Sequence, residues 1–287
     1  MDTLRGTGVA LVTPFAPDFS VDYPAWRRLL DFCIAGGADY LVVNGTTGES
    51  PTTTAAEKTK LLVQAKAHVA GRVPLVYGLG GNDTAATEEL LQNTDLLGIT
   101  AVLSASPAYN KPTQAGLVAH YTRLADASPV PLLLYNVPGR TASNLSATTT
   151  LHLAQHPNIV GIKEASGNLE QCLAIAAGKP TDFLLLSGDD LMTPALIACG
   201  AAGVISVLAN AFPQRFSAMT RAALAGDFAA SRAVLFGFLE LNPLMYEEAN
   251  PVGVKAALEA LGVCGAAVRL PLLEATEGLK ARVRRAM

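Results

Sequence analysis

The chain has 287 residues, 50% of them apolar and 16% charged, a balance that excludes disorder, because a chain with this much apolar surface can bury a large core. Its net charge of −3 offers no field to attract nucleic acid or an anionic membrane. No apolar run approaches the roughly 18 residues of a spanning helix, and the start lacks a basic patch followed by an apolar segment, so a cytoplasmic protein is expected.

Short apolar runs alternate with longer amphipathic stretches along most of the sequence. A strand over 9–13 leads to a helix over 23–35, a strand over 40–43 to a helix over 54–69, and a strand over 75–78 to a helix over 84–97. The alternation continues with strands over 101–104, 132–136 and 160–163, each followed by a helix, over 114–127, 146–156 and 169–177. Two further pairs follow, a strand over 183–186 with a helix over 192–199, and a strand over 203–207 with a helix over 213–225. The strands read as apolar on both faces, as in a parallel sheet covered by helices.

Eight such units predict an α/β protein, a (β/α)8 TIM barrel over 1–226. The alternative of an open doubly wound sheet lacks its dinucleotide fingerprint, since the last glycine of the nearest G-x-G-x-x-G is replaced by Asp83. Beyond Asp227 only Ala/Leu-rich helical pattern remains, broken at Asn242-Pro243, Asn250-Pro251 and Gly262. Residues 227–287 are therefore expected to form a C-terminal helical appendage used for packing or oligomerisation more than for chemistry. Cys33, Cys172, Cys199 and Cys264 form no C-x-x-C pair and are expected as reduced thiols.

Reactive groups in such a barrel lie at the C-terminal strand ends. Lys163 is the one lysine embedded in an apolar strand, Ile159-Val160-Gly161-Ile162-Lys163. Burial disfavours the charged ammonium and leaves neutral amine able to attack a carbonyl, forming a Schiff base. A structural ion pair with Glu164 or Asp189 is the competing reading. Thr46 and Thr47, in a glycine-flanked turn after the second strand, suit a small carboxylate or phosphate.

Tyr135 reads equally as an acid–base group or as a buried tyrosine with its hydroxyl satisfied. Arg140 after Pro138-Gly139 reads as a carboxylate clamp or a solvated rim residue. Tyr109, between prolines after the fourth strand, reads more readily as packing at an interface. The four histidines all fall in predicted helices, without zinc spacing, and one of Asp189 and Asp190 reads as a helix cap. No metal is expected.

Taken together, Gly45-Thr46-Thr47-Gly48-Glu49-Ser50, Tyr109-Asn110-Lys111-Pro112, Tyr135-Asn136-Val137-Pro138-Gly139-Arg140, Ile162-Lys163-Glu164-Ala165-Ser166-Gly167, Ser187-Gly188-Asp189-Asp190 and Gly203-Val204-Ile205-Ser206-Val207 match one family in order. The tail segment Glu248 to Lys255 also looks familial. The sequence resembles the dihydrodipicolinate synthase family, within the pyruvate-dependent class I aldolases that also include N-acetylneuraminate lyase.

The resemblance implies condensation of pyruvate with L-aspartate 4-semialdehyde to 4-hydroxy-tetrahydrodipicolinate, the first committed step of the diaminopimelate route to lysine. It implies a Schiff base on Lys163, a proton relay of Thr46, Tyr135 and Tyr109, and a pyruvate carboxylate held by Thr47. Arg140 would bind the carboxylate of the semialdehyde, and Gly188 and Ile205 would line the pocket with backbone carbonyls. It further implies no cofactor and a homotetramer built as a dimer of dimers, with Tyr109 reaching into a neighbouring subunit.

Related lyases and keto-deoxy-sugar-acid aldolases would share Lys163 and Tyr135. The threonine pair, Arg140 and Glu164-Ala165-Ser166-Gly167 favour the synthase over them. A catalytically silent barrel is the third possibility, and the intact lysine, tyrosines and threonines argue against it. In family members inhibited by lysine, the inhibitor site carries histidines, a glutamate and a tyrosine where this chain has Ala55, Lys58, Ala86 and Ala108, so weak feedback is expected.

Overall fold

The computed structural model describes residues 2–287. Eight parallel strands close into a barrel in sequence order: β1 (Gly6–Ala10), β2 (Tyr40–Val43), β3 (Leu75–Gly78), β4 (Ala101–Ala105), β5 (Leu132–Asn136), β6 (Ile159–Glu164), β7 (Leu184–Ser187) and β8 (Gly203–Ser206), with β8 pairing back onto β1. The architecture is the expected (β/α)8 TIM barrel. Nearly every strand residue is buried, because the barrel interior takes one face and the surrounding helices take the other.

The core accordingly has two layers. Tyr40, Val42, Val76, Leu103, Leu133, Leu186 and Ile205 fill the barrel, while Trp26, Leu29, Tyr121 and Phe216 belong to the larger layer between strands and helices. Tyr40 spans the interior and donates its hydroxyl to the Val204 carbonyl at 3.0 Å. Gly8 makes room for it, since a Cβ there would lie 2.2 Å from the Tyr40 ring.

Strand boundaries shift from expectation where glycine or a side-chain hydrogen bond intervenes. β1 begins at Gly6 and ends at Ala10, not over 9–13. Gly6 and Gly8 have little strand propensity of their own and make room for the Asp39 carboxylate and the Tyr40 ring beside them. Past Ala10 the ladder is continued by a side chain: Asn210 donates to the Ala10 carbonyl at 2.8 Å and accepts from the Val12 amide at 3.0 Å. Such an amide mimics a neighbouring strand without any apolar pattern to announce it.

The helix expected over 84–97 ends at Asn93, and that over 146–156 runs Ala147–Leu153, with Ser146 as its N-cap. His156 therefore lies outside a helix, with Nε2 3.0 Å from Asp126. The four cysteines are free, and three of them are buried.

The tail holds helices Phe228–Phe236, Leu241–Leu244, Val252–Ala260 and Glu277–Ala286. Asn242-Pro243 does not break a helix but lies within the short Leu241–Leu244 turn, where a first-turn proline removes no helical hydrogen bond. The longer helix ends earlier, at Gly237. Val252 to Leu258 are all buried, so this segment is packed into the body of the molecule. No helix among the described residues is long and apolar enough to cross a membrane.

Candidate active site

The mouth of the barrel is assembled from strand ends. Lys163 on β6 pairs in register with Tyr135 on β5 and Leu186 on β7, so lysine and tyrosine face inward at one level. Lys163 is only 5% exposed, and its Nζ lies 4.3 Å from the centroid of the Tyr135 ring, a cation–π contact. Gly188 leaves space for the lysine stem: a Cβ there would come within 3.1 Å of Lys163 Cε and 2.6 Å of Ala165 Cβ.

The competing ion-pair reading fails on geometry. Glu164, the next residue on the strand, faces the opposite way and accepts from Asn136 Nδ2 at 3.0 Å, the Ser166 amide at 2.7 Å and Gln171 Nε2 at 2.9 Å. Asp189 caps the following turn, its Oδ1 accepting from the Leu191 and Met192 amides at 3.1 and 3.3 Å. Among the described residues no carboxylate oxygen lies within 4.0 Å of Lys163 Nζ. The Tyr135 hydroxyl likewise has no hydrogen-bond partner among the described residues, although the residue is 8% exposed. Both polar groups are left for something that enters the cavity.

That cavity has a volume of about 960 Å³, and Lys163, Tyr135, Thr46, Thr47 and Arg140 all line it. Arg140 sits in the short helix Pro138–Thr141 at the rim. Ile205 is fully buried in the barrel interior and Gly188 stands beside Lys163, but neither is among the lining residues. Tyr109 is 91% exposed and does not line the cavity within a single chain.

Thr46 and Thr47 belong to a 3-10 turn, Thr46–Gly48, at the end of β2. Thr13 Oγ1 donates to the Gly48 carbonyl at 2.6 Å and holds the turn against the end of β1. Asn250 donates from Nδ2 to Thr47 Oγ1 at 3.0 Å. Because the Thr47 oxygen already accepts there, its own proton is free to be donated into the cavity, the polarity an anionic guest requires. The Asn250 Oδ1 is buried without a partner. Asn250 lies in the familial tail segment Glu248 to Lys255 and at one of its breaks, Asn250-Pro251, but nothing in the sequence pairs it with Thr47.

Asp190 ties β7 to the chain beyond β8. Its Oδ2 accepts from the Leu208 amide at 2.8 Å and the Val207 amide at 3.2 Å. Burial pushes its carboxyl up from 3.8 to about 6. A carboxyl raised on folding favours the protonated native state, so its stabilising contribution is present below the unfolded value and is lost as pH rises through about 6. Asp190→Asn removes this titration and is expected to flatten the pH dependence of the melting temperature between about pH 4 and 7, read in thermal melts of both proteins.

No cluster of three or more His, Cys, Asp or Glu side chains that could hold a metal ion occurs among the described residues. The model of the dihydrodipicolinate synthetase family matches residues 3–287. The chain belongs to this family. It is 51% identical over 286 residues to the 4-hydroxy-tetrahydrodipicolinate synthase of Cytophaga hutchinsonii, covering 100% of this chain and 96% of that one.

Among solved members of the family, the dihydrodipicolinate synthase of Acinetobacter baumannii, crystallised with pyruvate, superposes with a TM-score of 0.95 at 37% identity, covering 99% of this chain and 97% of that one. The enzyme from Cyanidioschyzon merolae with lysine bound gives a TM-score of 0.95 at 37% identity, with the same coverage of 99% and 97%.

Proposed function

We propose that this member of the dihydrodipicolinate synthetase family condenses pyruvate with L-aspartate 4-semialdehyde to 4-hydroxy-tetrahydrodipicolinate through an imine on Lys163. The observation that carries the reading is a buried, unpaired lysine stacked on a tyrosine whose hydroxyl is also unpaired, at the mouth of a barrel. Lys163 attacks the pyruvate ketone, and Tyr135 supplies the proton that lets water leave. The resulting iminium is an electron sink, so loss of a proton from the methyl carbon gives an enamine nucleophile.

The enamine attacks the aldehyde carbon, and the amino group of the second substrate displaces the lysine by transimination. Thr47 and the amides of its turn hold the pyruvate carboxylate, Thr46 relays the proton with Tyr135, and Arg140 receives the carboxylate of the aldehyde substrate. Gly188 and Ile205 shape the floor beside the imine.

Tyr109 completes the relay from a second copy, in keeping with its exposure in the isolated chain and with assembly as a tetramer of two tight dimers. The barrel of residues 1–226 and the helical region of 227–287 work as one catalytic body in the cytoplasm.

Sodium borohydride with pyruvate, followed by peptide mass spectrometry and a parallel turnover assay, tests this reading. A reduced adduct on Lys163 with turnover of the semialdehyde supports it. An adduct without turnover points to a sugar-acid aldolase, and no adduct overturns the imine.

Feedback by lysine is expected to be weak. Ser50, Ala55, Lys58, Asn82 and Ala108 line the same cavity. Lys58 brings an ammonium to that lining, which repels a cationic amino acid. The nearby Asp95 is already held by Lys66 at 2.7 Å. Millimolar L-lysine is expected to leave the initial rate nearly unchanged, and near-complete inhibition in a steady-state assay would refute this.

A further inference from the structure

Glu49 closes the Thr46–Gly48 turn in the left-handed region, at φ 54°, where a residue with a Cβ is held only if its surroundings fix it. Its carboxylate is almost wholly buried. One oxygen accepts from Lys255 Nζ at 2.6 Å and the other from the Arg269 amide at 3.0 Å. Lys255 is fully buried, donates also to the Ala267 carbonyl at 2.7 Å, and lies 4.3 Å above the Phe15 ring. The Arg269 guanidinium lies 4.3 Å from the same ring and bonds Glu57 and the Thr52 carbonyl.

A buried ion pair of this kind is a poor source of stability, because desolvation offsets most of the attraction and apolar replacements often serve as well. What it supplies is direction. The pair joins the Val252–Ala260 helix to the residue that ends the threonine turn, and Asn250, one turn earlier in the chain, grips Thr47 itself.

We propose that Lys255 and Glu49 are positioning residues for the carboxylate-binding turn, setting the reach of Thr47 and the amides of its turn toward the pyruvate carboxylate without touching it. The proposal rests on the imine reading above. It predicts that disturbing the pair weakens pyruvate binding selectively, since the lysine and the tyrosine stand on other strands and the arginine in the short helix beyond β5.

The test compares the parent with Lys255→Met, Glu49→Gln and the double variant Lys255→Met/Glu49→Leu. For Lys255→Met the KM for pyruvate, and the pyruvate concentration needed for half-maximal borohydride adduct, should rise roughly 10- to 100-fold, as a small misplacement of a binding group does. The KM for the semialdehyde should move far less. The double variant, with both charges gone, should recover the parent's melting temperature yet keep the raised KM.

Recovery of both melting temperature and KM in the double variant would show a merely structural pair and overturn the proposal. Should Lys255→Met fail to fold, Glu49→Gln carries the same prediction, because it keeps the shape and removes the charge. An unchanged pyruvate KM in a folded single variant also overturns it. Absence of any adduct in the parent is a different failure, that of the imine reading.

Discussion

Lys163→Met is expected to form no borohydride-stable adduct with pyruvate and to lose turnover by at least about 10³-fold, because the nucleophile itself is gone. Lys163→Arg should do the same, since a guanidinium keeps the charge but has no neutral amine to offer. The stability of the two proteins separates catalysis from structure. Removing one partner of a buried ion pair costs about 3–5 kcal/mol.

Lys163 has no carboxylate partner, so its loss strands no charge. The melting temperature of Lys163→Met should therefore match or exceed the parent's, measured by circular dichroism. A large fall would mean that the lysine serves the barrel and not the chemistry.

Tyr135→Phe is the second large effect. The substitution keeps the ring that lies under the Lys163 ammonium and deletes only a hydroxyl that bonds to no described residue. Folding should be untouched, while kcat/KM falls by about 10²- to 10⁴-fold, the usual contribution of a positioned proton donor. The rate of adduct formation should fall with it, because water cannot leave the carbinolamine without a proton. Normal adduct formation with slow turnover would instead place the tyrosine after the imine. Rapid-quench trapping resolves the two.

The pattern of apolar runs carried the barrel because burial on both faces of a parallel strand leaves an unbroken signal. It set β1 three residues late, because the strand opens on Gly6 and Gly8, which lie against Gly203 and Tyr40 and add nothing to an apolar pattern. Nor could it show Asn210 standing in for a strand, since one amide has no period.

At the site, Lys163 was legible as a charge in an apolar strand, and the threonine turn as a glycine-flanked hydroxyl pair. The choice between imine and ion pair needed the direction of Glu164, which spacing alone leaves open. Asn250 and Lys255 lie in the tail segment that looks familial, but what they do was illegible because their partners, Thr47 and Glu49, lie about two hundred positions away in the chain. The helical region was expected to pack or oligomerise, and its buried side chains reach the cavity's own wall.

That separation bears on when the enzyme becomes active during its own synthesis. The threonine turn is among the first parts of the chain to leave the ribosome, and the segment from Asn250 to Arg269 is among the last. Domains fold as units as they emerge, and contacts across such long separations form late. A nascent chain stopped after β8 has all the strands needed for closure and keeps the Thr13 contact to the threonine turn, but lacks those from Asn250, Lys255 and Arg269. Copies terminated there would carry Lys163 without those contacts, so the final segment ties assembly of the threonine turn to completion of the chain.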